Sequence, residues 1–114
     1  MNEVKIENDI IVVTLKGDLD KDSVSDTADT VIKLADRIQQ PKILIDFSSV
    51  RNVDFGSKSA AYEAVKQVKR SKIAIYGGDG YINGLFSLLM RFAGKTQLLK
   101  VSGNKEEALK WLSV

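Results

Sequence analysis

The sequence contains neither cysteine nor histidine. Without cysteine the chain has no disulfide, no thiolate nucleophile and no cysteine-based zinc site. Without histidine it lacks the usual general base near neutral pH and the commonest metal ligand. An enzyme made from this chain would have to work with carboxylates, lysines or hydroxyls. The composition therefore favours a non-enzymatic protein, and we expect neither a metal nor a cofactor.

Long apolar runs and excess charge are also missing. No apolar run approaches the roughly 20 residues that span a bilayer, and the charged segment MNEVKIENDI lacks the apolar centre of a signal peptide. The net charge of +2 over 114 residues is too weak to indicate nucleic-acid binding, which usually shows as a concentrated basic face. We therefore expect a cytoplasmic protein without a nucleic-acid partner, folded as one domain over residues 1–114.

Hydrophobic periodicity predicts strands that alternate with helices. Strands are expected at 3–7, 10–15, 42–47, 72–76 and 97–101, and helices at about 22–39, 57–69, 81–93 and 104–112. The order ββαβαβαβα predicts an α/β domain with a mostly parallel sheet and an antiparallel edge strand, covered by four helices.

Several short motifs accompany this order. They are Gly17-Asp18-Leu19-Asp20, KILIDFSSVRNVD at 42–54, VKRSKIAIYGG at 68–78 and EEALKWL at 106–112. The first two resemble motifs of the STAS domain, the fold of bacterial anti-sigma-factor antagonists and of the cytoplasmic tails of sulfate transporters. The last two are similar to motifs of its SpoIIAA-like branch, which is related to lipid-binding CRAL-TRIO domains. The resemblance implies a regulatory module that docks on a protein partner.

The stretch VRNVDFGSKSAAYEAV at 50–65 matches the family's switch segment, where a phosphorylatable serine directly follows an aspartate. Here Phe55 follows Asp54, and Gly56 precedes Ser57, so the serine is displaced by two positions. We expect Asp54, Phe55, Gly56, Ser57 and Lys58 to face the partner. Ser57 has two interpretations, a phospho-switch or the N-cap of a helix, and the cap is favoured. For Phe55, packing on the core is favoured over an exposed anchor.

The predicted helix at 81–93 is unusually apolar. Its expected core stripe consists of Ile82, Leu85, Phe86, Leu89 and Phe92. Leu88 and Met90 lie off this stripe, and Arg91 is the only charge. Because excess apolar surface marks a protein interface, a lipid contact or a homodimer, we expect Phe86, Leu88, Met90 and Arg91 to form a lipid-binding or interface helix. The alternative is that the C-terminal helix with Trp111 covers part of this surface.

Three further features have a functional and a structural interpretation. The loop GGDGYING at 77–84 could hold a phosphate, but a tight turn is favoured. Five aspartates fall near predicted strand ends: Asp18, Asp20, Asp46, Asp54 and Asp79. They could bind a cation or act as acid and base, but turn and cap roles are favoured. The basic run at 66–72 is interpreted as a solvated helix end, with a membrane contact as the alternative.

The leading hypothesis is thus a non-enzymatic STAS-type interaction module. The alternative is binding of a lipid or another apolar small molecule, at a membrane surface.

Overall fold

The computed structural model describes residues 2–68, 71–92, 94 and 98–114. Within these ranges the chain forms five strands and four helices. They are β1 (Glu3–Glu7), β2 (Ile10–Leu19), α1 (Lys21–Ala35), β3 (Lys42–Val53), α2 (Phe55–Gln67), β4 (Lys72–Tyr76), α3 (Gly80–Phe92), β5 (Leu99–Val101) and α4 (Lys105–Leu112). The predicted order and the α/β class are confirmed. The predicted ends at Lys69, Ala93 and Gln97 lie outside the described residues.

The sheet has the strand order β1-β2-β3-β4-β5, with β1 antiparallel to β2 and the other neighbours parallel. The antiparallel edge strand and the parallel remainder were both predicted. Each parallel strand lies beside the one that precedes it in the chain. Since such crossovers are right-handed, α1, α2 and α3 all cover the same face of the sheet.

Two apolar clusters follow from this arrangement, because successive strand residues point to opposite faces. The larger cluster lies under α1, α2 and α3 and includes Ile11, Val13, Ile43 and Ile75 of the strands. The smaller cluster lies on the opposite face under α4. It consists of Ile10, Val12, Leu44, Ala74, Ala108 and Leu112. Among the described residues, the eight-residue helix α4 supplies the helical cover of that second cluster.

The turn after β4 depends on glycine. Gly77 has φ +81, and a Cβ built on it would lie 2.7 Å from the backbone nitrogen of Ser48. A Cβ on Gly78 would lie 2.9 Å from Cγ2 of Ile82. The turn thus passes directly against β3 and against the first turn of α3. These glycines set the start of α3, which supports the tight-turn interpretation of GGDGYING.

Replacement of Gly77 by alanine tests this close approach. We expect Gly77→Ala to lower the free energy of unfolding by more than about 1–2 kcal/mol, because the left-handed backbone alone costs that much and the contact with Ser48 adds to it. The matched control is Gly84→Ala inside α3, where a Cβ meets nothing within 4 Å. It should stabilise the protein by roughly 0.5–1 kcal/mol. Urea denaturation measures both; equal stability of Gly77→Ala and the wild type would contradict the geometry.

Candidate functional site

The long pairing of β2 with β3 brings the starts of two helices together. The pairing continues to Leu19 and Val53, and the Asp54 N–H donates to the Leu19 carbonyl at 3.1 Å. A Cβ on Gly56 would lie 3.1 Å from Cβ of Lys21, so α1 and α2 begin side by side. This is the carboxyl edge of the parallel strands, where α/β folds place their binding sites.

Asp54, and not Ser57, is the N-cap of α2. One carboxylate oxygen of Asp54 accepts from the Ser57 N–H at 2.8 Å, and the Ser57 hydroxyl donates to the Asp54 carbonyl at 2.8 Å. The Ser57 side chain is 1% exposed. The prediction that Ser57 caps the helix is therefore wrong by three positions. Asp54 takes that role because its carboxylate reaches the free amides of the first turn.

Phe55 is the first residue of α2 and is 82% exposed. The expectation that its ring packs on the core is wrong, because the helix starts two residues earlier than predicted and the ring projects from the protruding first turn. Of the five residues expected to face a partner, Asp54, Phe55 and part of Lys58 reach the surface. Gly56 is half-buried against Lys21, and Ser57 is buried.

Lys58 connects Phe55 to a second exposed aromatic ring. Residues three apart on a helix are neighbours, so Lys58 lies beside Phe55. Its ammonium lies 5.0 Å from the centre of the Tyr81 ring, within range of a cation–π interaction. Tyr81 is 55% exposed. We call Phe55, Lys58 and Tyr81 the aromatic–lysine patch. The sequence analysis missed Tyr81, because its contact with Lys58 joins two helices.

The exposed side of α3 continues from this patch. Tyr81, Leu85, Leu88 and Phe92 follow at spacings of four, three and four residues, which places them on one side of a helix. Leu88 is 43% exposed and Phe92 is 66% exposed, whereas Leu85 is half-buried. We call these four residues the α3 outer stripe. Tyr81, Leu88 and Phe92 thus give α3 an exposed apolar side.

The buried side of α3 differs from the predicted one. Met90 is fully buried and Phe86 is 9% exposed, with the Phe86 ring edge-on to Phe47 at 5.4 Å between centres. Met90 was expected off the core stripe and Phe92 on it; both expectations are wrong. The helix is rotated so that Met90, one turn beyond Phe86, faces the sheet. Of the four residues expected at an interface, Leu88 and Arg91 are exposed.

All five aspartates accept hydrogen bonds from the backbone or from a neighbouring side chain. Asp20 and Asp54 cap α1 and α2, and Asp79 accepts from the Ile82 N–H at 2.9 Å at the start of α3. Asp18 accepts from the Asn52 side chain at 3.1 Å. Among the described residues no group of three or more histidine, cysteine or acidic side chains is placed to hold a metal ion. These contacts favour the turn-and-cap interpretation.

Asp46 forms a small polar cluster with Ser48 and Tyr76 on the α4 side of the sheet. Partial burial raises the pKa of Asp46, but hydrogen bonds from the Ser48 hydroxyl, the Ser48 N–H and Tyr76 outweigh this effect and bring the pKa below its ordinary value. Desolvation, together with the hydrogen bond to Asp46 and its negative charge, raises the pKa of Tyr76 to about 12. A phenol that stays protonated at neutral pH does not act as a base there.

No helix within the described part of the chain combines the length and apolarity required to cross a membrane. No family model and no curated protein matches the sequence.

Solved structures do share the fold. An anti-sigma-factor antagonist (STAS) domain protein from Planctomyces limnophilus is 18% identical, with a TM-score of 0.72 over 97% of this chain and 96% of that one. A DUF3478-family protein with a SpoIIAA-like fold from Shewanella loihica is 17% identical, with a TM-score of 0.71 over 98% and 92%. The phosphorylated form of the Bacillus cell-fate determinant SpoIIAA is 13% identical, with a TM-score of 0.63 over 97% and 98%. At these identities the likeness establishes the fold.

The Asp46–Tyr76 pair makes stability depend on pH in the alkaline range. The pKa of Tyr76 in the folded protein, about 12, is above its ordinary value of 10.0. The stabilisation is therefore complete below pH 10 and is lost as the pH rises towards 12. In the wild type we expect the phenolate absorbance of Tyr76 to appear near pH 12 and to be missing in Tyr76→Phe. The Tyr76→Phe variant should also lose less stability than the wild type between pH 10 and pH 12.

The control for this titration is Asp46→Asn, which removes the negative charge and should lower the pKa of Tyr76. Ultraviolet difference spectra and urea denaturation at stepped pH measure the two effects. A Tyr76 phenolate that appears at its ordinary pH in the wild type would contradict the assignment.

Proposed function

We propose that this chain, which has the STAS fold, is a non-enzymatic regulatory module that docks on a protein partner through the aromatic–lysine patch. The observation that carries the proposal is the Phe55 ring, 82% exposed at the first turn of α2. Relatives in fold that are described as anti-sigma-factor antagonists support a regulatory role. They do not identify the partner.

An exposed aromatic ring on a fixed helix start is well suited to anchor a complex. Aromatic side chains are enriched at the energetic centre of interfaces, where they fill a pocket on the partner. Phe55 is held by the Asp54 cap and by the hydrogen bond from the Asp54 N–H to Leu19. Little backbone freedom is then lost on binding, and preorganisation of this kind raises affinity.

The charges around Phe55 indicate the chemistry of the partner. Lys58 lies one helical turn from Phe55 with its ammonium at the Tyr81 ring, and Lys21 lies against Gly56, the residue after Phe55. The Asp54 carboxylate is engaged by the Ser57 N–H. A matching partner surface has an apolar pocket with carboxylates at its rim. The α3 outer stripe extends this surface beyond Tyr81.

A phosphoserine at Ser57 is not part of the proposal. The Ser57 hydroxyl is buried and donates to the Asp54 carbonyl, and the Asp54 carboxylate is bonded to the Ser57 amide. A phosphate in this position would have to displace the first turn of α2 and would lie against a carboxylate of the same sign. For the same reason Ser57→Asp would damage the cap, so it is a poor test of docking.

The test compares two substitutions of exposed apolar residues. Phe55→Ser removes the anchor, and Ile6→Ser is the matched control, because Ile6 is 50% exposed on the edge strand β1. Proteins retained from host lysate by the wild type and by Ile6→Ser, but not by Phe55→Ser, are candidates. For such a candidate we expect Phe55→Ser to weaken the measured Kd about thirtyfold or more, as for an interface hot spot. An unchanged Kd with Phe55→Ser would overturn the proposal.

A membrane surface is the second candidate, favoured by the exposure of Leu88 and Phe92 next to Arg91. Apolar side chains on a helix can insert into the lipid interface while a cation pairs with anionic headgroups.

Vesicle co-sedimentation tests this candidate with Leu88→Lys and Phe92→Lys; Met90→Lys is unsuitable because Met90 is buried. A membrane role predicts that both variants lose binding to anionic vesicles and that Phe55→Ser retains it. Equal sedimentation of all variants would exclude an insertion through α3.

A further inference from the structure

The face of the sheet beneath α1, α2 and α3 contains an apolar cavity of about 110 Å³. Its walls come from β2, β3 and β4 and from all three helices. It lies between the helices and the sheet, and Lys58 belongs both to its lining and to the aromatic–lysine patch.

Small side chains on two helices leave this space. Ala28 of α1 and Ala61 and Ala64 of α2 line the cavity, where a larger aliphatic residue would fill it. Within its 13 residues α2 buries Ser57 and Val65 alone. The helix thus covers the sheet while contributing little volume to the core.

The cavity offers a water molecule few partners. Thr27 and Ser57 are the lining residues with a hydroxyl group. The Thr27 hydroxyl donates to the Ser23 carbonyl at 2.8 Å and accepts from the Asn2 amide at 3.0 Å. The Ser57 hydroxyl donates to the Asp54 carbonyl. Since a buried water needs two to four polar partners, the cavity suits an apolar group better than water.

The positively charged side chain of Lys58 lies at the edge of the cavity. Lys58 is a half-buried lining residue, and its ammonium extends to the Tyr81 ring. Among the described residues no carboxylate forms an ion pair with Lys58. Five further lining residues of α1 and α2 are half-buried, so the cavity opens along the groove between these helices. They are Val24, Thr27, Ala28, Ala61 and Ala64.

We infer that the cavity binds a small aliphatic carboxylic acid, with the alkyl chain between α1, α2 and the sheet and the carboxylate at Lys58. The volume sets the size class. An apolar cavity of about 150 Å³ holds one benzene molecule, so a cavity of about 110 Å³ suits a short or branched chain. This site shares Lys58 with the docking proposal, but its apolar part lies under α1 and α2 and its test needs no partner protein.

Methyl resonances of the purified protein test the inference directly. The probes are isovalerate, acetate as an acid without an apolar body, and xenon as an apolar atom without charge. We expect isovalerate and xenon to produce saturable shifts at Ala61, Ala64 and Ile82, and acetate to produce none. Absence of saturable isovalerate shifts would overturn the inference, whether or not xenon produces shifts.

Two variants separate the apolar site from the charge. Ala61→Leu fills the cavity and should abolish the shifts from both probes. Ala60→Leu is its matched control, since Ala60 neighbours Ala61 on α2 but does not line the cavity. Lys58→Met keeps the apolar stem of the side chain. It should weaken the binding of isovalerate at least about threefold and leave the xenon shifts unchanged.

The remaining outcomes are also decisive. Isovalerate shifts that persist in a folded Ala61→Leu protein would show binding outside the cavity and refute the cavity site. If Ala61→Leu does not fold, Ala64→Val is a smaller substitution that reduces the same cavity. It should weaken the binding of both isovalerate and xenon. Because no partner enters these measurements, failure here leaves the Phe55 docking test unaffected.

Discussion

The parallel pairing of β2 with β3 is the constraint on which the site depends. It runs from Ile11 and Ile43 to Leu19 and Val53, whereas β3 pairs with β4 only as far as Asp46 and Tyr76. The two long strands therefore project past the rest of the sheet, and α1 and α2 begin together at their ends. Phe55 is exposed because it is the first helical residue at this projecting edge.

In the same architecture the aspartates at the helix starts are hydrogen-bonded to the backbone. Each of the helices α1, α2 and α3 starts from an aspartate that accepts a backbone N–H, at Asp20, Asp54 and Asp79. These carboxylates satisfy amides that would otherwise lack partners at the helix starts. A carboxylate fixed in this way is poorly placed to exchange protons with a substrate. The Asp54 cap and the exposed Phe55 ring are the features from which the docking role is proposed.

The sequence predicted the order of elements well because alternation of apolar residues in strands and their three-to-four spacing in helices are local patterns. The edge strand and the turn at Gly77 follow from the same local signals. The start of a helix is harder to predict from the sequence, because Asp54 and Ser57 are both good caps. The choice between them moves Phe55 from before the helix to its first turn. The burial of Met90 and the exposure of Phe92 depend on how α3 rotates against the sheet, and the contact between Lys58 and Tyr81 depends on two helices. Neither is a local pattern.

In the part of the chain that the structure describes, α4 is the one helix that covers the second face of the sheet. Val12, Leu44 and Ala74 form a row across three neighbouring strands, and α4 covers them with Ala108 and Leu112. Helices of eight residues do not persist alone in water, so α4 is helical because it is docked, with Lys72 over the Trp111 ring. When α4 detaches, the apolar row of Val12, Leu44 and Ala74 becomes exposed to other molecules. Aggregation at high concentration would therefore begin at this face, through local unfolding of the last helix and with the rest of the fold intact.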